Sequence, residues 1–547
     1  MKKLIYIFGT IVLFTACNKR LDLDSLSNAS EATYFRNPEE AGVGLNAVYA
    51  TLPGERDFWK DCSSDNSIMT NAWGEGGLGF INQGSQQASD TYLREEYVGA
   101  YGNIRRALYY LTKLTPIDFG ANAALKTRYE AEARFVLAMW YFRLVEHFGD
   151  VPLIVEQPVL LDESKIPRSP KQQVLEYALQ CVNFSAANLP TSYSGSDNGR
   201  ITKAAALMLR ANIYLYMASW EKFHNNNNNV EYWQNAANAA DSVVALNQYT
   251  LVPNYASQFT AAANNANSEI ILARQYVKDL VTHMLPALAS PGGVGAIGGG
   301  WAAFCPTRDL IDSYECTDGR SIRTSPLYNV NRPYENRDRR LTQTFMLPGI
   351  PVKRPDGSMT PFSPHPSSGM PERIGNEGGG GKTGYMYLKF NDLETITPER
   401  SFINWPIYRY AETLLILAEA LNEANPGDAR IKTSLDLVRQ RAGLPVVDPS
   451  IITNQDAVRN IIRNERRHEF VAEHKRYFDI LRWKIAEDVL NTPAFGINSN
   501  VSNPTGDYNA PKILAQQRKF TAPLMYLWPI PQSVIDANNL IIQNAGW

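Results

Sequence analysis

Cysteine is scarce: the 547 residues contain five, and no two form a CxxC pair. Beyond Cys17, the cysteines at 62, 181, 305 and 316 stand too far apart for a zinc site. Only Cys305 and Cys316 could pair, and only if their segments turn back on each other. Positive charge is not in excess either, with 53 Lys plus Arg against 55 Asp plus Glu. A chain so balanced carries no electrostatic footprint for nucleic acid. No segment offers 18 uninterrupted apolar residues, so no membrane-spanning helix is expected. No short loop has the acidic spacing of a calcium site, and no cofactor is implied.

Catalytic signatures are missing in the same way. Gly74, Gly76 and Gly79 fit GxGxxG, as do Gly293, Gly295 and Gly298, but neither set lies between a strand and an amphipathic helix. Gly381-Lys382-Thr383 resembles the end of a P-loop, yet Asn376 stands where its first glycine belongs. The next segment, Tyr385 to Leu388, reads as a strand. His468, Glu469 and His474 evoke a zincin, but the two histidines are six apart and point away from each other on a helix. No GxSxG is present. A glycosidase needs two poised carboxylates in a cleft, and nothing singles out such a pair among the 55.

The first residues read as a targeting segment. Lys2 and Lys3 precede an apolar run from Leu4 to Phe14, too short to cross a bilayer. Thr15-Ala16-Cys17 then looks like a bacterial lipobox, with cleavage after Ala16 and lipid on Cys17. Phe14 departs from the usual Leu. Removal of two lysines would take the net charge from −2 to −4, and acyl chains would anchor the protein without a spanning helix. Residues 17–30 read as the lipidated cysteine and a polar tether.

Helical periodicity dominates the chain beyond the tether. Helices are expected over 91–113, 121–148, 170–189, 202–221 and 230–247. In the second, Phe135, Ala138, Met139, Phe142 and Val145 recur at three- and four-residue steps, and Gly149 with Pro152 ends it. Between about 251 and 405 the periodicity disappears and glycine and proline multiply, notably at Pro291–Gly300 and Gly378–Gly381. Long irregular stretches on a helical frame are usually functional loops. Helices return near 408, then over 428–442 and 455–485. The fold class is therefore mostly α. Paired helices at 31–250 and a C-terminal helical part at 406–547 flank a loop region at 251–405, an arrangement that suggests an α-solenoid.

Of the ten tryptophans, Trp547 is the last residue and the other nine separate by context. Trp140, Trp220, Trp233 and Trp483 lie in helical patterns, and Trp405 and Trp528 in apolar segments beside proline, so all six read as core. Trp59, Trp73 and Trp301 lie in loop-like sequence. Trp73 and Trp301 are flanked by glycines, which lets a large ring stand clear and offer a flat face to the C–H edges of a sugar. The alternative is that each ring caps a core beneath its loop.

Several blocks together resemble the SusD/RagB family of Bacteroidetes outer-membrane lipoproteins. They are Glu130–Phe135 leading to His147-Phe148-Gly149-Asp150-Val151-Pro152, Tyr408–Glu412 leading to Leu414–Ala420, and Asn464–Phe470 before Lys475–Asp479 and Arg482-Trp483. Asp318-Gly319-Arg320, Glu335–Asp338, Trp528–Pro531 and Gln543–Trp547 add to them. The resemblance runs from the lipobox to the last residue. It implies a tetratricopeptide-like helix-pair scaffold and a lipid-anchored, surface-facing protein at the outer membrane. It also implies a partner, a SusC-like TonB-dependent transporter, and a non-catalytic role in delivering oligosaccharide or polysaccharide to it. Family ligand loops differ between members. By comparable position the resemblance points to Trp73 and Trp301, with Tyr385 as a third platform. Asp65 and Asn66 are candidate polar contacts, or else a turn or cap. Some members capture peptides, through backbone hydrogen bonds in a roomy polar cavity rather than paired rings. Peptide capture therefore stands as the alternative, with a glycoside hydrolase as a third reading.

Overall fold

The computed structural model describes residues 35–70, 81–158, 163, 165–265, 267–295, 299–392 and 399–547. Cys17, the tether and Trp73 lie outside the described residues.

Helix α1 (Pro38–Tyr49) comes first, followed by the expected helices with shifted ends: α2 (Thr91–Leu114), α3 (Ala123–Phe148), α4 (Lys171–Asn188), α5 (Lys203–His224) and α6 (Val230–Ala245). Helix α1 is the one that apolar spacing does not single out, although its start is legible. Pro38 occupies the first turn and the Asn37 side chain caps the Glu40 amide at 2.9 Å. Helix α3 is buried on nearly every side from Ala131 onward, as its apolar run requires. The six tryptophans read as core are all 9% exposed or less.

After the loop region come α7 (Tyr410–Ala424), α8 (Ala429–Ala442), α9 (Gln455–Glu469) and α10 (Arg476–Arg482). Each of α2 through α5 packs on the next, and α7 packs on α6. Residues 246–409 thus leave and rejoin the helical array between two neighbours. One continuous hydrophobic core runs from Ala41 to Ile541.

The segment 455–485, expected as one helix, is broken. Ala472 and His474 adopt left-handed backbone, with φ of 62° and 63°, which no helix continues. The break follows from what the turn delivers. Glu473 reaches Arg409 at 2.6 Å through its Nε, and it also accepts from the Lys389 ammonium. His468 instead stacks on Tyr314 with centroids 4.2 Å apart, while His474 lies 3.6 Å from Asp57. The two histidines of the zincin-like run therefore serve different parts of the interior.

The loop region contains short strands and helical turns. Strand β1 (Ser67–Met69) pairs antiparallel with β3 (Phe304–Pro306), Ser67 opposite Pro306 and Met69 opposite Phe304. Strand β2 (Ile270–Arg274) pairs antiparallel with β4 (Trp405–Arg409), which runs directly into α7. Cys305 and Cys316 do not pair. Cys305 lies in β3 facing Thr70, whereas Cys316 is bridged through its backbone to Arg337, and both thiols are free and buried.

Beneath the loops lies a buried charge network. The Arg409 guanidinium meets Glu269, Glu469 and Glu473, and that of Arg340 meets Asp338, Glu465 and Glu469. All of these side chains are 3% exposed or less. Burial alone would push the Glu469 carboxyl up, but Arg441, Arg409 and Arg340 hold it well below the usual carboxylate range. Glu269 and Asp338 come from the loop region, and Glu465, Glu469 and Glu473 from α9 and the turn after it. Paired in this way the charges fix the irregular segment onto the C-terminal helices.

Among the described residues no helix is long and apolar enough to cross a membrane, and no group of three or more His, Cys, Asp or Glu is placed to hold a metal ion.

Candidate functional site

Trp301 is the large ring that the loop region leaves in solvent, 44% exposed. Its backbone is fixed from below. The Trp301 amide donates to the Ala287 carbonyl at 2.8 Å, Ala302 to Ser290 at 2.8 Å, and Ala303 to Leu288 at 2.7 Å. These bonds lay residues 301–303 along the buried turn Leu285–Ala289. Ala302, wholly buried, has a φ of +46°, a conformation that costs a non-glycine residue about 1 kcal/mol or more. The hydrogen bonds on either side hold it there. The strained residue turns the chain directly after the exposed ring.

The glycine runs have a more specific role than flexibility. Gly292 donates to the Gly379 carbonyl at 2.9 Å. A Cβ on Gly379 would lie 2.6 Å from the Gly292 nitrogen and would overlap the Gly300 carbonyl oxygen. The two runs, some 80 residues apart in sequence, thus pack backbone on backbone beside Trp301, and only glycine permits that approach. Gly379→Ala is expected to lower the melting temperature by several degrees, since φ there is also +114° and both the strain and the overlap must be relieved by moving the Trp301 frame. Differential scanning calorimetry measures this; an unchanged melting temperature would show that the contact is soft.

Pairing of β1 with β3 brings the first loop to the same place. The Thr70 amide donates to the Ala303 carbonyl at 2.9 Å, and its hydroxyl bonds the Ala302 carbonyl. Thr70, the last described residue before the segment that contains Trp73, therefore sits against the two residues that come after Trp301.

Three expected contact residues belong to the interior instead. Tyr385 is 1% exposed and its phenol oxygen accepts from Arg308 at 3.2 Å, so its ring has no face to offer a ligand. The Asp65 carboxylate is gripped by the Arg476 fork at 2.8 and 2.9 Å and by Arg467 at 2.9 Å. Asn66 accepts from the Arg467 Nε at 3.0 Å and donates to Asp61 at 3.1 Å. Both residues are buried, and they fasten the β1 segment to α9 and α10. They are structural ties between distant parts of the chain. Trp59 is likewise core, 8% exposed and edge-on to Phe304 with centroids 5.0 Å apart. Sequence reasoning also missed Val277, Leu280, Val281 and Met284, all exposed on the approach to the Leu285–Ala289 turn. Their spacing carries no signal that separates them from core residues.

Asp61 is the titratable group beneath this frame. Burial pushes its carboxyl up to about 6, despite hydrogen bonds from Tyr387 at 2.8 Å and Asn66 that favour the charged form. The fold thus holds a proton there that the unfolded chain releases near pH 4. That stability is fully present below about pH 4 and is lost as pH rises to 6, a change of about 3 kcal/mol. Asp61→Asn keeps the shape without the ionisation. It is expected to flatten the fall in urea midpoint between pH 4 and 6; an equal slope in the variant would assign the dependence to other groups.

A family model described as "SusD family" matches residues 268–547, more than half of the chain. The chain belongs to the SusD family. A second model, described as "Starch-binding associating with outer membrane", matches residues 37–215. The SusD-like protein P2 of Formosa agariphila is 26% identical over the full length of both chains. A SusD-like protein of Bacteroides ovatus is 26% identical, covering 88% of this chain and 82% of that one. Among solved structures, a SusD-like protein from Bacteroides fragilis superposes with a TM-score of 0.80 at 25% identity, covering 95% of this chain and 99% of its own. A laminarin binding SusD-like protein superposes with a TM-score of 0.69 at 22% identity, covering 94% and 100%. The mostly α fold and the family expected from the sequence blocks both hold for this SusD-family chain.

Proposed function

We propose that this protein is a non-catalytic, surface-facing lipoprotein of the outer membrane. It captures oligosaccharide or polysaccharide at the Trp301 frame and delivers it to a SusC-like TonB-dependent transporter. The observation that carries this reading is a half-exposed indole on a backbone pinned by three hydrogen bonds and by two interlocked glycine runs. A rigid apolar face suits the C–H edges of a pyranose, and fixing it beforehand avoids ordering cost on binding. The solved relative that binds laminarin supports the carbohydrate class, and the description of the N-terminal family match supports the outer membrane.

Trp73 is the proposed second ring. It lies three residues beyond Thr70 in sequence, within a chain reach of about 11 Å. Cys17 is the proposed lipid attachment. Ring stacking with a few hydrogen bonds gives affinities of roughly micromolar to millimolar order, weak enough to release cargo.

The test is native affinity electrophoresis of residues 18–547 through gels that contain single polysaccharides. Retardation by one glycan, relieved in Trp301→Ala, supports the reading. Retardation that survives the substitution removes Trp301 from the site. Absence of retardation by every glycan, with binding of peptides by calorimetry, replaces the sugar with a peptide.

A further inference from the structure

A cleft of about 440 Å³ opens on the seam between the helical array and the inserted region. Its walls are the turn from Thr191 to Thr202 between α4 and α5, the segment at Gln248 and Tyr249 after α6, and strand β2 with the residues before it. None of its lining residues belongs to the Trp301 frame. The volume lies in the range of small-ligand sites, about 300–1,000 Å³.

The lining is unusual in its chemistry. It holds seven amide side chains: Asn264, Asn404, Asn267 and Gln258 bond the backbone around them, whereas Asn198, Gln248 and Gln275 are exposed, and two half-buried tyrosines, Tyr193 and Tyr249, stand beside them. Arg200 is its single formal charge, and that charge is spent. The guanidinium donates to Asp197 at 2.7 Å and to Glu132 at 3.1 Å. Arg128 completes the set, bonding Asp197 at 2.9 Å and Glu132 at 3.2 Å, so two cations face two carboxylates. The Tyr193 phenol donates to Glu132 at 3.4 Å, and the Arg128 guanidinium lies over its ring, 5.3 Å from the centroid. At the rim, a side chain at Gly199 would run into the Gln275 amide. The glycine, with φ of +87°, leaves that exposed amide lying across the opening.

We propose that this cleft is a second binding site, for a short stretch of neutral glycan. A phosphate or carboxylate ligand would need an uncommitted cation, and an ammonium ligand an uncommitted anion; the lining supplies neither. An amide carries both donors and acceptors and so can serve adjacent hydroxyls at once. Tyrosine rings supply the apolar faces. A polyhydroxylated, uncharged chain uses both features, whereas an apolar ligand would leave the amides unpaired at a cost. A second site on the same molecule raises the residence of a long polymer through effective concentration without requiring either site to be tight.

The experiment is hydrogen–deuterium exchange of residues 18–547 with laminarin, soluble starch and galactomannan, and with alginate as the charged control. A neutral polymer is expected to protect 191–202 and 267–275, and alginate is not. The double variant Tyr249→Ala with Gln275→Ala is expected to raise the polymer concentration needed for that protection about tenfold, with the melting temperature checked as unchanged. Trp301→Ala is expected to leave protection of these segments in place, so loss of the Trp301 site and loss of the cleft are read separately. Three results would overturn the proposal. These are no protection of the two segments by any neutral polymer, protection that survives the double variant, and protection by alginate in place of the neutral polymers.

Discussion

Arg409→Ala is expected to be the most damaging single substitution in the chain. The side chain is 1% exposed and its five donors are fully used. Nη1 reaches Glu269 at 2.6 Å and Glu469 at 2.7 Å; Nε and Nη2 reach the two oxygens of Glu473 at 2.6 and 2.8 Å; and Nη2 also reaches the Glu469 carbonyl at 2.9 Å. Truncation removes one counter-charge from each of three buried carboxylates, leaving Glu269 with Arg441, Glu469 with Arg441 and Arg340, and Glu473 with Lys389. Breaking a buried pair by removing one partner costs about 3–5 kcal/mol, a large share of the roughly 5–15 kcal/mol that holds a domain folded. Arg409→Lys keeps the charge but loses the planar fork, so it should fall between Ala and wild type. Arg430, 45% exposed and paired with Asp428 and Asp241, is the control, since truncating an exposed pair costs under about 1 kcal/mol. Urea titration followed by circular dichroism orders the three. A midpoint for Arg409→Ala close to that of Arg430→Ala would mean that water compensates the carboxylates.

The second large effect is on binding. Trp301→Ala removes the exposed face while leaving the backbone bonds to Ala287, Ser290 and Leu288 available. A sugar ring that covers about 80 Å² of apolar surface there gains about 2 kcal/mol, or about 30-fold in Kd. Trp301→Phe retains a smaller face and should lose less than Ala. Stability should fall by less than for a fully buried tryptophan, because 44% of the residue is already in solvent, and by less for Phe than for Ala. Isothermal titration with the glycan found by electrophoresis gives the affinities, and calorimetric melting gives the stability. Equal affinity for Ala and wild type would place the ligand elsewhere; a fall in melting temperature that matches the fall in affinity would make Trp301 a packing residue.

Much of the scaffold was legible in the residues themselves. The three- and four-residue apolar recurrence in 121–148 and the Gly149–Pro152 stop located α3 to within two residues at its start and at its last residue, Phe148. The stretch after 250 that lacks periodicity holds short strands and helical turns among the described residues, and the six tryptophans in helical or proline-flanked apolar context are core. These are local signals, because a helix that must bury one face records that face in its spacing. The sequence blocks from Glu130 to Trp547 were specific enough to indicate the family.

Long-range pairing was not legible. Asp65 and Asn66 looked like loop polar residues until α9 and α10, 400 residues later, supplied Arg467 and Arg476. Tyr385 comes after a glycine run, as an exposed platform would, but the interlock of Gly379 with Gly292 and Gly300 shows that the run is packed rather than free. Glu465, Glu469 and Glu473 lie in the stretch 455–485 that periodicity reads as one helix. Their partners include Arg409, Arg340 and Lys389 from elsewhere, and Glu473 meets Arg409 and Lys389 between the left-handed residues Ala472 and His474. Which segments are helical and which are core was thus written in the residues, because each depends on neighbours three or four positions away. The family was written there too, in contiguous blocks. Which polar and aromatic loop residues face solvent was settled only when the chain folded. A carboxylate or a ring acquires its role from whatever the fold sets against it, and that partner can lie anywhere along the chain.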